Sequence, residues 1–315
     1  MSAAPPLVPL TRPRRLRSGD RVAVVAPSGP IPEERLARGL AILRGWGLEP
    51  VVAPHVLDAH PRHDYLAGTD RARARDLQDA WCDPSVAAVL CGRGGYGVQR
   101  MVDLLDWTAI RAAGPKVFVG YSDVTALHEA FALRAGLATL HGPMVAAATF
   151  LDDAPTQEHL RATLLEPESV RTVPALKTAR TLVPGRARGV TFGGCACLLA
   201  AGLGTPDDRP TGRGGLLLLE DVGEEPYRLD RMLTQLLRAG LLEGVTGILL
   251  GSWEECGPYG ELHALFEDRL AGLGVPVVEE YGFGHCPSTL TIPLGAAAAF
   301  DADTCTLTLD APALD

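Results

Sequence analysis

Short apolar segments alternate with longer amphipathic segments through the first half of this 315-residue chain. The apolar segments are typical of buried strands, whereas the segments between them repeat apolar residues at helical spacing, as Leu36, Leu40 and Leu43 do. The predicted strands are residues 21–26, 49–52, 86–91 and 117–119. Because strands and helices in this order form a parallel sheet covered by helices on both faces, we predict an α/β fold.

The second half of the chain has a different pattern. Regular alternation fades after residue 144, and residues 152–184 combine one predicted helix with an extended segment that contains proline. The later predicted elements are strands at 215–220, 245–250 and 275–278 and an amphipathic helix at 229–239. We therefore predict an N-terminal α/β domain at 1–151, a linker at 152–184 and a smaller α/β domain at 185–315.

Charge and hydropathy exclude some classes of partner. A formal net charge of −9 argues against nonspecific nucleic-acid binding, which needs a basic surface. No apolar run approaches the ~20 residues that span a bilayer, and no apolar segment follows the N-terminal arginines as it would in a secretory signal. We therefore expect a cytoplasmic protein that binds neither membranes nor nucleic acids.

The cysteines and a histidine-rich segment do not predict a metal site. The seven cysteines are scattered, and the Cys195-Ala196-Cys197 pair lacks the second pair that is typical of a zinc site. His55, His60 and His63 lack helical spacing and neighbouring acidic ligands, which favours a solvated loop. We expect reduced, mostly buried thiols and no metal or other cofactor.

Ser122 lies in a segment that is predicted to form a strand, a sharp turn and a helix. Apolar residues precede Gly120, and a helical pattern of apolar residues begins at Val124. A serine at such a turn projects its hydroxyl beyond the end of a sheet, as a serine nucleophile must. The Gly-x-Ser-x-Gly pattern is incomplete, since Val124 replaces the second glycine. The alternative is that Ser122 or Asp123 caps the helix.

Two further polar residues fall at or just after predicted strand ends. Glu220 follows four leucines, and a carboxylate at the end of a buried strand needs a partner; alternatively, it begins a solvated acidic loop. His285 lies in the glycine-rich segment 281–287 and suits proton transfer near neutral pH. Its rivals are His128, which we expect to pack on a helix or face solvent, and His141, which we expect to line the site.

The loop at residues 92–97 supports two interpretations. Its G-x-G-x-x-G pattern fits a dinucleotide fingerprint, although no strand ends in the acidic residue expected ~20 residues later. Alternatively, the N–H groups of Gly94, Gly95 and Asp123 stabilise an oxyanion. Arg93 either binds a substrate carboxylate through two parallel hydrogen bonds or forms a surface ion pair.

Taken together and in order, these segments resemble the LD-carboxypeptidase family of serine peptidases. The resemblance extends from about residue 21 to the end of the chain, and its motifs are specific only as a set. The main segments are residues 92–97, 120–123, 141–143, 219–221 and 282–285.

The resemblance implies a catalytic triad of Ser122, Glu220 and His285. It also implies an N-terminal domain that resembles class I glutamine amidotransferases, a smaller C-terminal domain with a swivelling or barrel-like sheet, and a homodimer. One position departs from the family pattern, because Cys195 follows two glycines where the family has asparagine. A thiol is a weaker hydrogen-bonding group than the amide it replaces.

The implied reaction is hydrolysis of an L,D-peptide bond, with release of the terminal D-alanine from a cytoplasmic murein tetrapeptide in peptidoglycan recycling. A microcin-immunity-type peptidase, which cleaves peptide–nucleotide or acyl-adenylate conjugates, would use the same three residues. An interpretation from a different class is a dinucleotide-binding or non-catalytic ligand-binding protein built around the 92–97 loop.

Overall fold

The computed structural model describes residues 5–315, so the first four residues of the predicted N-terminal domain lie outside it. Strands and helices alternate through the first half, as the sequence predicts. The elements of the first half are β1 (Arg21–Val25), α1 (Glu33–Gly45), β2 (Glu49–Val52), α2 (Asp70–Cys82), β3 (Val86–Cys91), α3 (Val98–Met101), α4 (Trp107–Ala113), β4 (Val117–Gly120), α5 (Thr125–Ala130), β5 (Thr139–His141), α6 (Ala148–Asp152) and α7 (Ala154–Leu165).

The second half contributes more strands than helices. Its elements are β6 (Thr172–Pro174), β7 (Arg180–Val183), β8 (Arg186–Cys195), α8 (Ala196–Gly202), β9 (Gly215–Val222), α9 (Pro226–Ala239), β10 (Gly247–Glu254), α10 (Tyr259–Leu270), β11 (Val277–Glu279), β12 (Ile292–Leu294), β13 (Ala297–Asp301) and β14 (Thr306–Leu309). A run of leucines makes β9 a fully buried central strand, as expected for a strand covered on both faces.

The first sheet has six strands in the order β12-β5-β4-β3-β1-β2. The five strands from the first half are parallel, whereas β12 comes from the far end of the chain and pairs antiparallel with β5. In this register His141 lies opposite Ile292 on one side and Gly120 on the other. The C-terminal half therefore supplies one edge of the N-terminal sheet.

The second sheet has eight strands in the order β6-β14-β13-β8-β9-β10-β11-β7. Its central strands β8 to β11 are parallel, and the outer pairs are antiparallel. The segment predicted as a linker, residues 152–184, contains α7 and also both edge strands of this sheet, because β6 pairs with β14 and β7 with β11. The division into two domains stays a prediction.

Apolar packing joins the two sheets. One core cluster includes Val24 and Val119 from the first sheet together with Leu218 and Phe283 from the second half, each at most 1% exposed. The fold is thus α/β with two mixed sheets, which confirms the predicted fold class. Among residues 5–315, every helix is too short or too polar to traverse a bilayer.

Candidate active site

Ser122 has a strained backbone conformation at the end of β4. Its φ is 64°, in the left-handed region that residues other than glycine seldom adopt. The strained turn aims the side chain away from the strand, as in the nucleophile turns of α/β hydrolases. Gly120 makes the turn possible, because a Cβ there would lie 2.6 Å from Cγ1 of Val124. Residue 120 must therefore be glycine because Val124, which replaces the second glycine of the Gly-x-Ser-x-Gly pattern, lies against it.

The helix-capping interpretation of this turn is wrong. Neither the short 3₁₀ turn beginning at Ser122 nor α5 after it has a side-chain cap. The Asp123 carboxylate is buried and instead accepts a hydrogen bond of 2.9 Å from the N–H of Val98, at the start of α3. Burial raises the pKa of Asp123 despite the hydrogen bonds that it accepts. Asp123 thereby ties the serine turn to the end of the glycine-rich loop.

The glycine-rich loop lies against Ser122. A Cβ on Gly94 would be 3.0 Å from Cβ and 3.2 Å from Oγ of Ser122, so the loop backbone faces the serine directly. Among the hydrogen bonds of residues 5–315, none is donated by the N–H of Gly94, Gly95 or Asp123. These three amides have no hydrogen-bond acceptor among the described residues, and their oxyanion role stays a prediction.

The dinucleotide interpretation of the same loop conflicts with its surroundings. A dinucleotide pyrophosphate binds at the N-terminus of the helix that follows the glycines. Here that helix, α3, has four residues, and its first N–H donates to the Asp123 carboxylate. The acidic side chain occupies the position that a phosphate would need.

Glu220 and His285 form a hydrogen-bonded pair. Glu220 lies near the end of β9 with no exposed surface, and its Oε2 is 2.6 Å from Nδ1 of His285. Gly284 permits this approach, because a Cβ there would lie 2.7 Å from the Glu220 carboxyl carbon. The solvated-loop alternative for Glu220 is therefore wrong. The pairing leaves Nε2 of His285 available for proton exchange.

Glu220 and His285 each stabilise the charged form of the other. Burial raises the pKa of Glu220, but the charge and hydrogen bond of His285, together with the nearby His141 ring, outweigh burial and lower that pKa to about 2. Burial likewise lowers the pKa of His285, and the Glu220 carboxylate outweighs it, so the net direction is upward. Glu220 therefore stays ionised near neutral pH and stabilises the imidazolium that forms when His285 accepts a proton.

Ser122 is adjacent to this pair but is not bonded to it. The ring of Tyr121, the preceding residue, packs against the His285 ring with centroids 4.8 Å apart. Within the described residues 5–315, Ser122 Oγ has no hydrogen bond to His285. Nucleophile-to-base hydrogen bonds are often long without substrate and tighten once it binds. The structure thus brings a histidine–carboxylate pair next to the serine turn, and their roles as base, orienting group and nucleophile stay predictions.

The other two histidines occupy buried positions. His128 accepts or donates at 2.8 Å to Thr139 Oγ1 and donates at 2.9 Å to the Gly120 carbonyl, and burial lowers its pKa to about 3. It is packed beneath the serine turn, which confirms the first of the two expectations, that it packs on its helix or faces solvent. His141 has no exposed surface, and its Nε2 lies 3.7 Å from Oε1 of Glu220. Its role in binding substrate stays a prediction.

Arg93 is exposed at the edge of the glycine-rich loop. Its guanidinium donates to the carbonyl of Pro30 at 3.0 Å. No salt bridge among residues 5–315 includes Arg93, so the surface ion-pair alternative is wrong. The side chain borders a shallow cavity of about 350 Å³ with Tyr65 and Tyr96. Its charge is free to bind an anionic group, which is the predicted role.

A larger cleft, of about 840 Å³, begins next to His285. It was not predicted from the sequence. Residues 286–288 form one wall, and acidic residues at the ends of β10 and β11 form another. Glu255 and Glu280 line it with φ of 57° and 51°, so both carboxylates sit on strained backbone. Acidic residues that directly follow two adjacent parallel strands were the available signal.

Two mixed α/β sheets that meet at a buried carboxylate–histidine pair beside a strained serine turn are characteristic of a hydrolytic enzyme of the serine type. Residues 22–142 match the LD-carboxypeptidase N-terminal domain, and residues 188–300 match the LD-carboxypeptidase C-terminal domain. The chain belongs to the LD-carboxypeptidase family, and it is a serine-type carboxypeptidase.

Individual relatives agree with this assignment. A Streptomyces coelicolor protein whose name proposes carboxypeptidase activity is 70% identical over 97% of this chain and 98% of its own length. The murein tetrapeptide carboxypeptidase of Pseudomonas aeruginosa is 32% identical over 89% of this chain and 93% of its own. The crystal structure of an MccF-like protein from Bacillus anthracis is 24% identical, with a TM-score of 0.83 over 94% of this chain and 98% of that one. The last likeness establishes the fold.

Proposed function

We propose that this enzyme hydrolyses the L,D-peptide bond of a murein tetrapeptide and releases the terminal D-alanine, in the cytoplasm, as a step of peptidoglycan recycling. The observation that carries the proposal is the hydrogen bond of 2.6 Å between Glu220 and His285 beside the Ser122 turn. A relative that is 32% identical and is named murein tetrapeptide carboxypeptidase supports the choice of substrate.

In the proposed mechanism, Ser122 Oγ attacks the carbonyl carbon of the scissile bond while Nε2 of His285 accepts the hydroxyl proton. The N–H groups of Gly94, Gly95 and Asp123 stabilise the oxyanion of the tetrahedral intermediate. His285 then donates the proton to the departing D-alanine nitrogen, which leaves an acyl-enzyme. Water, deprotonated by His285, hydrolyses that ester and regenerates Ser122. Glu220 holds Nδ1–H of His285 throughout.

A carboxylate of the tetrapeptide needs a cationic partner within the site. We propose that Arg93 binds a carboxylate of the tetrapeptide, because its guanidinium is exposed and bonded only to a carbonyl among the residues described. Arg93→Lys would keep the charge but lose the parallel pair of hydrogen bonds, so we expect KM to rise with kcat little changed. Arg62, an exposed arginine on a nearby loop, provides the matched Arg62→Lys control.

The test is mass spectrometry of a purified murein tetrapeptide after incubation with the enzyme. We expect a tripeptide that has lost one alanine, and free D-alanine in equal amount. Ser122→Ala is expected to leave the tetrapeptide intact while its circular dichroism matches that of the wild type. Release of alanine by Ser122→Ala at the wild-type rate would reject Ser122 as the nucleophile.

The second candidate is a microcin-immunity-type peptidase that cleaves peptide–nucleotide or acyl-adenylate conjugates. Parallel assays with the murein tetrapeptide and with an aminoacyl-sulfamoyl adenylate distinguish the two. Cleavage of the adenylate alone would replace the murein proposal. We also propose that the enzyme is a homodimer, which light scattering during size-exclusion chromatography tests directly.

A further inference from the structure

A cluster of two thiols and a carboxylate lies beside the catalytic residues and has no part in the proposed reaction. Cys195 ends β8, Cys197 lies in the first turn of α8, and Asp221 follows Glu220 on β9. The two Sγ atoms are 3.3 Å apart, and Sγ of Cys195 is 3.4 Å from Oδ1 of Asp221. All three potential ligand atoms fall within 4.8 Å of one another.

These distances are slightly shorter than those around a tetrahedral zinc ion. With Zn–S of about 2.3 Å and Zn–O of about 2.0 Å, tetrahedral angles place two sulfur ligands about 3.8 Å apart and a sulfur about 3.5 Å from an oxygen. The observed separations of 3.3 and 3.4 Å need only small side-chain rotations to reach these values. A disulfide would instead require the sulfurs to approach to about 2.05 Å.

The surroundings hold the carboxylate in a fixed orientation. Asp221 is buried, and its two oxygens accept hydrogen bonds from the N–H groups of Val222, at 2.9 Å, and Cys197, at 2.8 Å. Each carboxylate oxygen retains a lone pair for a metal ion. Hydrogen bonds of this kind orient ligands around metal sites.

The two cysteines differ in exposure, which provides both a protected ligand and an entry path. Cys195 is buried, whereas Cys197 is partly exposed. The backbone N–H of Cys195 donates to Thr125 Oγ1 at 3.0 Å, which fixes the end of β8 against the helix that follows Ser122. Because Cys197 is partly exposed, an ion can reach the cluster from solvent.

We propose that Cys195, Cys197 and Asp221 form a binding site for a thiol-preferring divalent cation, such as Zn²⁺, with three protein ligands and one solvent position. Two thiolates select such a cation over Mg²⁺ or Ca²⁺, which prefer oxygen ligands. The sequence spacing concealed this site, because the third ligand comes from a neighbouring strand. Asp221 lies on the strand that carries Glu220, and Cys195 on the neighbouring strand pairs in register with Glu220.

The histidine-rich segment is a weaker candidate for the same role. His55 is hydrogen-bonded to Asp76 at 2.7 Å, and the rings of His60 and His63 stack at 4.8 Å. Among residues 5–315, the Cys195, Cys197 and Asp221 cluster is the one group whose potential ligand atoms converge.

The experiment titrates the reduced, metal-free enzyme with Co²⁺ and then with Zn²⁺. We expect a thiolate-to-cobalt charge-transfer absorption that saturates at one equivalent, together with the visible bands of tetrahedral Co²⁺, and its loss on addition of Zn²⁺. In Cys197→Ser we expect the charge-transfer intensity to fall and binding to weaken at least about tenfold. Asp221→Asn is expected to weaken binding while retaining the charge-transfer band.

Cys82 is also partly exposed and lies in α2, so Cys82→Ser is the matched control and should bind Co²⁺ as the wild type does. The proposal is overturned if the reduced enzyme shows no charge-transfer band at one equivalent of Co²⁺. It is also overturned if Cys197→Ser binds like the wild type, or if Cys82→Ser loses the band. Because the readout is metal binding, its failure is independent of the peptidase assay.

Discussion

His141 faces the Glu220 oxygen that His285 leaves free: its Nε2 lies 3.7 Å from Oε1 of Glu220, and both residues are fully buried. Oε1 has no hydrogen-bond partner among the described residues, and neither do the two ring nitrogens of His141. A buried carboxylate oxygen without a hydrogen bond depends on nearby polar groups for its stability. We therefore predict that His141 is a positioning residue for the proposed triad and acts through Glu220.

We predict that His141→Ala lowers kcat by more than it changes KM, because it loosens Glu220 and hence His285 without touching substrate. The loss of a polar neighbour at a buried carboxylate should also lower the free energy of unfolding by about 1–3 kcal/mol. His141→Gln retains an N–H donor and should recover part of both losses. Steady-state kinetics and urea denaturation check these values, and a rise in KM alone would place His141 in the substrate site instead.

Two substitutions of Ser122 are expected to lose the same activity but to differ in stability. Both Ser122→Ala and Ser122→Gly remove the proposed nucleophile, and we expect kcat to fall about 10⁴-fold or more in each. Glycine alone relieves the strain of φ 64°. Ser122→Gly should therefore be more stable than Ser122→Ala by about 1 kcal/mol. Equal denaturation midpoints for the two variants would show that the turn stores no strain.

The close approach of Gly94 to Ser122 predicts that even one added methyl group is harmful. In Gly94→Ala, the new Cβ would lie 3.2 Å from Ser122 Oγ and crowd the space where the oxyanion forms. We expect kcat to fall about 10²–10³-fold, comparable to the loss of an oxyanion donor. Gly45 at the end of α1 has open space around it, so Gly45→Ala is the control and should retain full activity. If Gly94→Ala has the kinetics of the wild type, the glycine-rich loop does not form part of the oxyanion site.

Local periodicity predicted much of this fold because strands and helices of the first half bury continuous apolar faces. The same patterns placed Gly120 and Glu220 at strand ends; β4 does end at Gly120, whereas β9 continues past Glu220 to Val222. The pairing of β12 with β5 did not, since three residues give no periodic signal and their partner lies about half the chain away. For the same reason the contact between His141 and Glu220 could not be found from the sequence.

The serine turn shows how a local rule failed for a physical reason. Asp123 is a residue type that often caps helices, which is why the sequence suggested a cap. Its carboxylate instead accepts a hydrogen bond from the N–H of Val98, on a different helix. Cys195, Cys197 and Asp221 likewise converge only after β8 and β9 pair. In both cases the decisive partner comes from another element, whose position depends on the whole sheet.

The low pKa of Glu220 predicts a specific loss of stability in acid. Its folded pKa of about 2 is below the ordinary value of 4.5, so ionised Glu220 stabilises the fold above pH 4.5 and this contribution disappears as pH falls toward 2. The contribution amounts to about 3 kcal/mol. Between pH 5 and pH 2 the wild type should lose more unfolding free energy than Glu220→Gln by about that amount. Urea denaturation measures the unfolding free energy of both proteins across this pH range. An equal loss in the wild type and in Glu220→Gln would contradict the charged pair.

The raised pKa of His285 predicts the acidic limb of the activity profile. His285 accepts a proton only when neutral, so kcat/KM should rise with pH and reach half its maximum above the ordinary histidine value of 6.5. In Glu220→Gln the charge that raises this pKa is gone while burial still lowers it. The midpoint should therefore move to lower pH, and kcat should fall about 10⁴-fold as the ring loses its orienting carboxylate.

A second glutamate–histidine pair, in which the glutamate is buried and the histidine is partly exposed, supplies the control for that shift. Glu279 is 1% exposed and lies 2.9 Å from Nδ1 of His263, on strand and helix elements outside the proposed triad. Glu279→Gln removes a buried charge of the same kind, but it should leave the midpoint of kcat/KM unchanged because it does not contact His285. If both variants shift the midpoint equally, the profile reports the net charge of the protein. A shift confined to Glu220→Gln identifies His285 as the group that titrates.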